Sequence, residues 1–198
     1  MITIGLTGNI GTGKSFTAAI FAELGIPVFN ADDAVHALLK KGGAGVKPVA
    51  KLFPDVVKEG AVDRKALGAI VFKNPTKRKA LETILHPLVR KAEEKAIRAA
   101  RLKGKHMIVL DIPLLFEAGG WRRVDVIVVV KSSPFIQKRR VLARKGMTLK
   151  RFHEVLETQW PSYKKEKGAD FVIDTGASKR VIKAQIKKLI AHMKAKYV

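Results

Sequence analysis

Gly8-Asn9-Ile10-Gly11-Thr12-Gly13-Lys14-Ser15 fulfils the pattern G-x-x-x-x-G-K-[ST], and its neighbours supply the context such a loop needs. Before it lies the apolar run Ile2-Thr3-Ile4-Gly5-Leu6, which reads as a buried strand; after it, Ser15–Ala22 reads as the opening of a helix. Glycines let backbone N–H groups approach phosphate oxygens with no Cβ in the way. The helix N-terminus adds a positive dipole end at the same point. In such a loop the lysine, here Lys14, reaches the β- and γ-phosphates, and the hydroxyl of Ser15 ligates Mg²⁺. Lys14 is read as serving the phosphates alone, so its loss is expected to spare stability.

Working outward, four more short strands alternate with helical stretches: Pro27–Asn30, His106–Asp111, Asp125–Val130 and Phe171–Asp174. Met107–Leu110 and Val126–Val130 are unbroken apolar runs, the pattern of parallel strands covered on both faces. The expected fold is α/β, a five-stranded parallel sheet with right-handed crossovers. Ligands in such sheets bind beyond the carboxyl ends of the strands. The loop, Asp32, Asp111 and Lys131 all follow strand ends and are expected to share that edge. Some seventy residues separate the second strand from the third, too many for one crossover helix. They hold a Gly/Pro-containing stretch (Gly42–Pro54) and helical stretches at Asp63–Phe72 and Pro75–Arg101, with Pro87 expected to kink or divide the last. A further block, Pro134–Trp160, is rich in Arg and Lys and is expected to cover the site as a helical lid. The closing helix Ser178–Tyr197 carries Val181, Ile182, Ile186, Leu189, Ile190 and Met193 on one face, with Ser178 as its N-cap.

Composition narrows the setting. The 198 residues fit one domain with a core (1–32, 105–133, 168–198), an insertion (33–104) and a lid (134–167). No apolar stretch is long enough to span a bilayer. With no cysteine there is no disulfide framework, thiolate metal site or cysteine nucleophile, and a cytoplasmic enzyme is expected. The 39 Lys and Arg against 17 Asp and Glu give a net charge of +22. That field attracts polyanions of any kind without choosing among them.

Several residues carry candidate chemistry. Asp111 ends an apolar strand, where a carboxylate supports Mg²⁺ through a bridging water; a solvent-exposed turn Asp would fit the same pattern. Asp32 and Asp33 follow the second strand and read either as a base for an acceptor hydroxyl or as helix N-caps. Arg139, Arg140 and Arg144 lie in one helical segment, with Arg140 and Arg144 on one face. They suit a polyphosphate, or else form a solvated basic surface. His86-Pro87 reads most simply as a packed histidine beside a helix kink.

Together these elements resemble the dephospho-coenzyme A kinases over most of the chain. Leu6–Ser15 is similar to that family's L-T-G-x-I-G-x-G-K-S, Ala31-Asp32 to its D-A-D, Leu85-His86-Pro87 to its L-H-P, and Pro113–Glu117 to its P-L-L-F-E. Gln137, Arg140 and Arg144 match a Q-x-x-R-x-x-x-R element. Gln159, Lys165 and Ala169–Ile173 match a Q…K…A-D-x-V-I element. Asn30, His36, Phe16 and Thr175 depart from the pattern. The resemblance implies a P-loop kinase core in which ATP and Mg²⁺ serve phosphorylation of the ribose 3′-hydroxyl of dephospho-coenzyme A. It implies an ATP site at Gly8, Gly11, Thr12, Gly13, Lys14, Ser15, Phe16, Arg140 and Arg144, with Asp32, Lys14 and Arg140 catalytic. Substrate would meet Asp32, His86 and Leu114, with residues 33–104 as the coenzyme-A-binding insertion. It implies no obligatory nucleic acid, no membrane span, and a monomer or weak oligomer. Another nucleoside or nucleotide kinase, or a nucleic-acid-binding ATPase, would share the loop.

Overall fold

A computed structural model describes residues 1–197. In chain order the elements are β1 (Ile2–Thr7), α1 (Lys14–Glu23), β2 (Val28–Asn30), α2 (Ala31–Leu39), α3 (Val46–Leu52), β3 (Val57–Lys58), β4 (Ala61–Val62), α4 (Arg64–Lys73) and α5 (Pro75–Leu102). They continue with β5 (Met107–Asp111), β6 (Val126–Lys131), α6 (Pro134–Leu142), α7 (Leu149–Glu157), α8 (Ser162–Lys167), β7 (Phe171–Asp174) and α9 (Lys179–Tyr197). Two compact units divide the chain: Asn30–Ala99 forms one, and residues 1–29 with those from 100 onward form the other.

The first strand read from sequence becomes the centre of a five-stranded sheet of order β2-β5-β1-β6-β7 among the described residues. β1 pairs in parallel with β5 (Leu6 opposite Asp111) and with β6 (Thr7 opposite Val129), and β6 pairs in parallel with β7 (Lys131 opposite Asp174). This register brings the loop after Thr7, Asp111 and Lys131 to one edge, as the parallel reading requires. The unbroken apolar runs are buried: Met107–Leu110 and Val128–Val130 are each at most 1% exposed. On one face Ile4, Leu6, Ile20, Phe21, Met107, Val128, Ile182, Ile186 and Met193 form a single core. Each such side chain contributes about 1.5–3 kcal/mol by leaving water. On α9, Ile182, Ile186, Leu189 and Met193 are buried, but Val181 is exposed, so the apolar face is narrower than its sequence suggests. The basic side of that helix meets water, with Lys179 and Lys183 both paired to Glu23.

The Asn30–Ala99 unit has its own core of Leu39, Val46, Val49, Phe53, Val56, Val62, Leu67, Leu81 and Leu85. Its Gly/Pro-containing stretch holds the helix α3, and the two-residue antiparallel pair β3–β4, with Val57 opposite Val62, follows that stretch before α4. Asp63 accepts from the Lys65 and Ala66 N–H groups and caps α4.

Pro87 does not divide its helix; α5 runs unbroken from Pro75 to Leu102. Proline removes one intrahelical bond and leaves the carbonyl four residues earlier without its donor. Here that residue is Thr83, and both Thr83 and Pro87 are exposed. Water can therefore serve the carbonyl while Leu81 and Leu85 anchor the opposite side in the core. His86 is exposed too, which corrects the expectation of a packed histidine.

Candidate active site

The phosphate loop forms because its sequence closes a turn on itself. The Thr12 N–H and hydroxyl both donate to the Asn9 carbonyl, at 3.2 and 2.7 Å, and Gly13, with φ of 93°, precedes α1. Only glycine adopts that left-handed conformation without strain. At Gly8 the constraint is space: a Cβ there would lie 2.6 Å from the Val130 carbonyl oxygen. A helix leaves its first N–H groups without intrahelical partners, so the start of α1 suits an anion.

Lys14 and Asp111 form a direct ion pair across the strand edge. Asp111 is fully buried and the Lys14 side chain is 14% exposed. The solvent-exposed reading of Asp111 is thereby excluded. So is the expectation that Lys14 serves the phosphates alone, since its ammonium also compensates a buried carboxylate. Ser15 and Phe16 are exposed at the start of α1, and Thr12 is buried.

Arg140 lies on α6 and donates from Nη1 to the Thr175 hydroxyl and from Nη2 to the Thr175 carbonyl, both at 2.9 Å. Thr175 in turn bonds the Thr12 carbonyl at 2.5 Å, and its N–H donates to the Lys131 carbonyl at 2.9 Å. One threonine thus ties the arginine to the loop and to the end of β6. Arg144 lies two residues beyond the end of that helix. The helix ends at Leu142, where the Ala143 and Arg144 N–H groups fold back onto Arg139 and Val141, and Gly146 turns the chain at φ of 76°. Arg144 stands exposed on that turn.

Residues of α6 and of the segment between it and β7 grip the loop. Gln137 Nε2 donates to the Ile10 carbonyl at 2.7 Å, the Ile10 N–H donates to Gln159 Oε1 at 3.0 Å, and Asn9 Nδ2 donates to the Trp160 carbonyl at 3.1 Å. Gln137 and Gln159 stand out in the sequence, yet nothing there tells what they touch. Lys165 is fully buried beside Glu117, with Nζ 2.9 Å from Oε1. Burial pushes its ammonium down from the ordinary lysine range; Glu117 opposes that shift and the Lys14 charge adds to it. Leu114 is 38% exposed in the turn after β5.

Asp32, Asp33 and His86 belong to the Asn30–Ala99 unit. Asp32 and Asp33 lie in the first turn of α2, directly after β2, and both are exposed. Neither caps the helix. That role falls to Asn30, whose Oδ1 accepts the Asp33 N–H at 3.0 Å. The capping alternative for Asp32 is therefore removed.

Among the described residues no cluster of three or more His, Cys, Asp or Glu could cage a metal ion, and no helix is long and apolar enough to cross a bilayer. A hydroxyl at Ser15 and one buried carboxylate at Asp111 suit a magnesium ion that keeps waters and takes phosphate oxygens as ligands.

The sequence model of the family described as "Dephospho-CoA kinase" matches residues 2–180. The dephospho-CoA kinase of Rhizobium etli is 46% identical over 194 residues, covering 98% of this chain and 95% of the relative. Among solved structures, TT1252 from Thermus thermophilus aligns with a TM-score of 0.84 at 34% identity, covering 97% of each chain. The dephospho-CoA kinase from Campylobacter jejuni aligns with a TM-score of 0.72 at 26% identity, covering 99% of this chain and 98% of that one. A match of this extent takes in the phosphate loop, the Lys14–Asp111 pair and Arg140 with its threonine, and the chain belongs to the dephospho-CoA kinase family.

Proposed function

We propose that this chain transfers the γ-phosphoryl group of ATP to the ribose 3′-hydroxyl of dephospho-coenzyme A, giving coenzyme A and ADP. The observation that supports this most is the family match across residues 2–180, which spans every residue assigned a role below. The 3′ oxygen bonds to the γ-phosphorus as the bond from phosphorus to the β–γ bridging oxygen breaks, and the hydroxyl proton passes to the Asp32 carboxylate. Asp32 follows the carboxyl end of β2, is exposed, and has no capping duty, so its oxygens are available to an acceptor.

On the nucleotide side the loop residues Gly8, Gly11 and Gly13 offer backbone donors, Thr12 closes the turn that presents them, and Lys14 exchanges its contact with Asp111 for phosphate oxygens. Phosphoryl transfer asks little covalent chemistry of a protein and much positioning and charge neutralisation. Arg140, held by Thr175, supplies a fixed guanidinium for the developing charge; Arg144, on the turn after α6, and Phe16 complete the ATP side. Ser15 directly and Asp111 through water would hold Mg²⁺, which would supply positive charge to neutralise the phosphates. The Asn30–Ala99 unit, with His86, and Leu114 from the turn after β5 bind the acceptor, while residues 134–167 cover ATP and exclude water. The protein acts in the cytoplasm as a monomer or weak oligomer.

A coupled ADP-release assay with dephospho-coenzyme A, against adenosine and AMP as control acceptors, tests this. Dephospho-coenzyme A is expected to be turned over far faster than either control. Equal rates for all three would overturn the proposal.

A further inference from the structure

Glu117 sits at the junction of two segments that do not otherwise explain each other. Its Oε1 accepts the Trp160 N–H at 2.6 Å and lies 2.9 Å from the buried Lys165 ammonium. The neighbouring Phe116 ring stacks on the Trp160 ring, with centroids 5.7 Å apart and planes inclined by 20°. Trp160 then passes the connection on, because its carbonyl accepts from Asn9 and the preceding Gln159 accepts the Ile10 N–H. The path from the Lys165–Glu117 pair to the phosphate loop is thus continuous, and each bond in it has ordinary hydrogen-bond geometry except the ion pair. Lys165 Nζ makes no well-directed hydrogen bond, and neither does Glu117 Oε2. Both charges are largely withdrawn from water, and a buried ion pair seldom repays its desolvation in stability alone.

We propose that Glu117 is a positioning residue for ATP. Held by Lys165, it fixes Gln159 and Trp160, and through them the Asn9–Ile10 arm of the phosphate loop. Ile10 has its N–H committed to Gln159 and its carbonyl to Gln137, so this arm cannot rotate independently of the segments that grip it. The loop's phosphate donors follow directly, beginning at Gly11. A small displacement of such a loop misplaces every phosphate contact at once. The proposal rests on the reading of the loop as an ATP site.

The test compares two charge-neutral double variants. Glu117→Gln with Lys165→Met keeps an acceptor for the Trp160 N–H and removes both charges. Glu117→Leu with Lys165→Met removes the acceptor as well. Mg·ATP affinity is measured by calorimetry without acceptor, which keeps the result independent of which acceptor the enzyme uses, and KM for ATP, KM for dephospho-coenzyme A and kcat are measured alongside. The leucine variant is expected to weaken Mg·ATP binding and kcat/KM for ATP by about 10–100-fold, with KM for dephospho-coenzyme A little changed. The glutamine variant is expected to recover most of that loss. Equal ATP affinity in the two variants would overturn the proposal, as would lower melting temperatures with wild-type ATP parameters. If the leucine variant does not fold, Gln159→Leu against Gln159→Glu decides: only the glutamate keeps an acceptor for Ile10, and equal ATP affinity in those two overturns the proposal.

Discussion

In the unit that carries the phosphate loop, Lys14, Arg140, Gln137 and Gln159 already have protein partners, whereas in the Asn30–Ala99 unit Asp32, Asp33 and His86 stand exposed on helices. The contrast follows the chemistry proposed for each. A polyphosphate carries concentrated charge, so the cations and donors that meet it repel one another unless something holds them in place beforehand. Asp111 does so for Lys14 and Thr175 for Arg140. An acceptor hydroxyl needs a carboxylate within reach, and an exposed one on a helix start meets that need without a scaffold. Substitutions in the first unit should therefore disturb stability and function together, and those in the second should separate them.

The largest effect is expected at Lys14. Lys14→Ala should lower kcat by at least about 10³-fold. It should also destabilise the fold, because buried Asp111 loses an ammonium, at a cost of about 3 kcal/mol. Adding Asp111→Asn should restore much of the melting temperature and none of the activity. A melting temperature unchanged in Lys14→Ala would show that the pair does not matter to folding.

Asp32→Asn sharpens the contrast from the other side. It should lower kcat by about 10²–10⁴-fold while Mg·ATP binding and melting temperature stay close to wild type. Asp33→Asn should cost far less. Should Asp33→Asn prove the more damaging, the base has been assigned to the wrong carboxylate.

Leu85→Ala asks whether the Asn30–Ala99 core stands by itself. Its loss should cost about 2–5 kcal/mol in denaturant unfolding. Under native conditions Mg·ATP affinity should be retained, since the loop's partners all lie in the other unit. A matching loss of ATP affinity would mean the two units do not separate in the way the contrast supposes.

Smaller again, Arg140→Ala should lower kcat/KM for ATP by about 10–100-fold and Arg144→Ala by less, because only Arg140 is anchored. The double variant should lose less than the sum of the two in free energy, as residues serving one polyphosphate do. Equal losses from the two single variants would deny the anchor any role.

The smallest effect concerns pH. The Ala66 N–H bond holds the Asp63 carboxyl below the usual range. A carboxyl lowered in the folded state contributes stability above its unfolded value of about 3.9, and that contribution is lost as pH falls through the lower folded value. Thermal melts between about pH 5 and pH 2 should therefore fall more steeply for wild type than for Asp63→Ala. Parallel slopes would remove the cap from the account.

The reach of the sequence differs between features. The loop was legible because its function is local: eight consecutive residues set both the turn and the donors. The strands were legible because burial on both faces leaves no polar position in Met107–Leu110 or Val126–Val130. By contrast, the sequence does not show that α6 stops at Leu142, with a cap at Ala143 and a turn at Gly146, so that Arg144 lies beyond the helix that carries Arg140. Pro87 leaves α5 undivided, and whether its orphaned carbonyl meets water depends on the side of α5 that packs, which local sequence does not show.

By itself, then, the sequence determined the α/β class, the strand set, the phosphate loop and the motifs that tie the chain to its family. Each of these is fixed by spacing within a dozen residues or so, where backbone geometry alone relates one side chain to the next. Tertiary structure alone decided that Lys14 answers to Asp111, that Thr175 holds Arg140, that Asn30 rather than an aspartate caps α2, and that Lys165 is buried against Glu117. Most of those partners are tens of residues apart, and a charge or hydroxyl in sequence carries no sign of the group it will face. Even for neighbours such as Asn30 and Asp33, several side chains compete for one N–H, and the folded backbone selects among them.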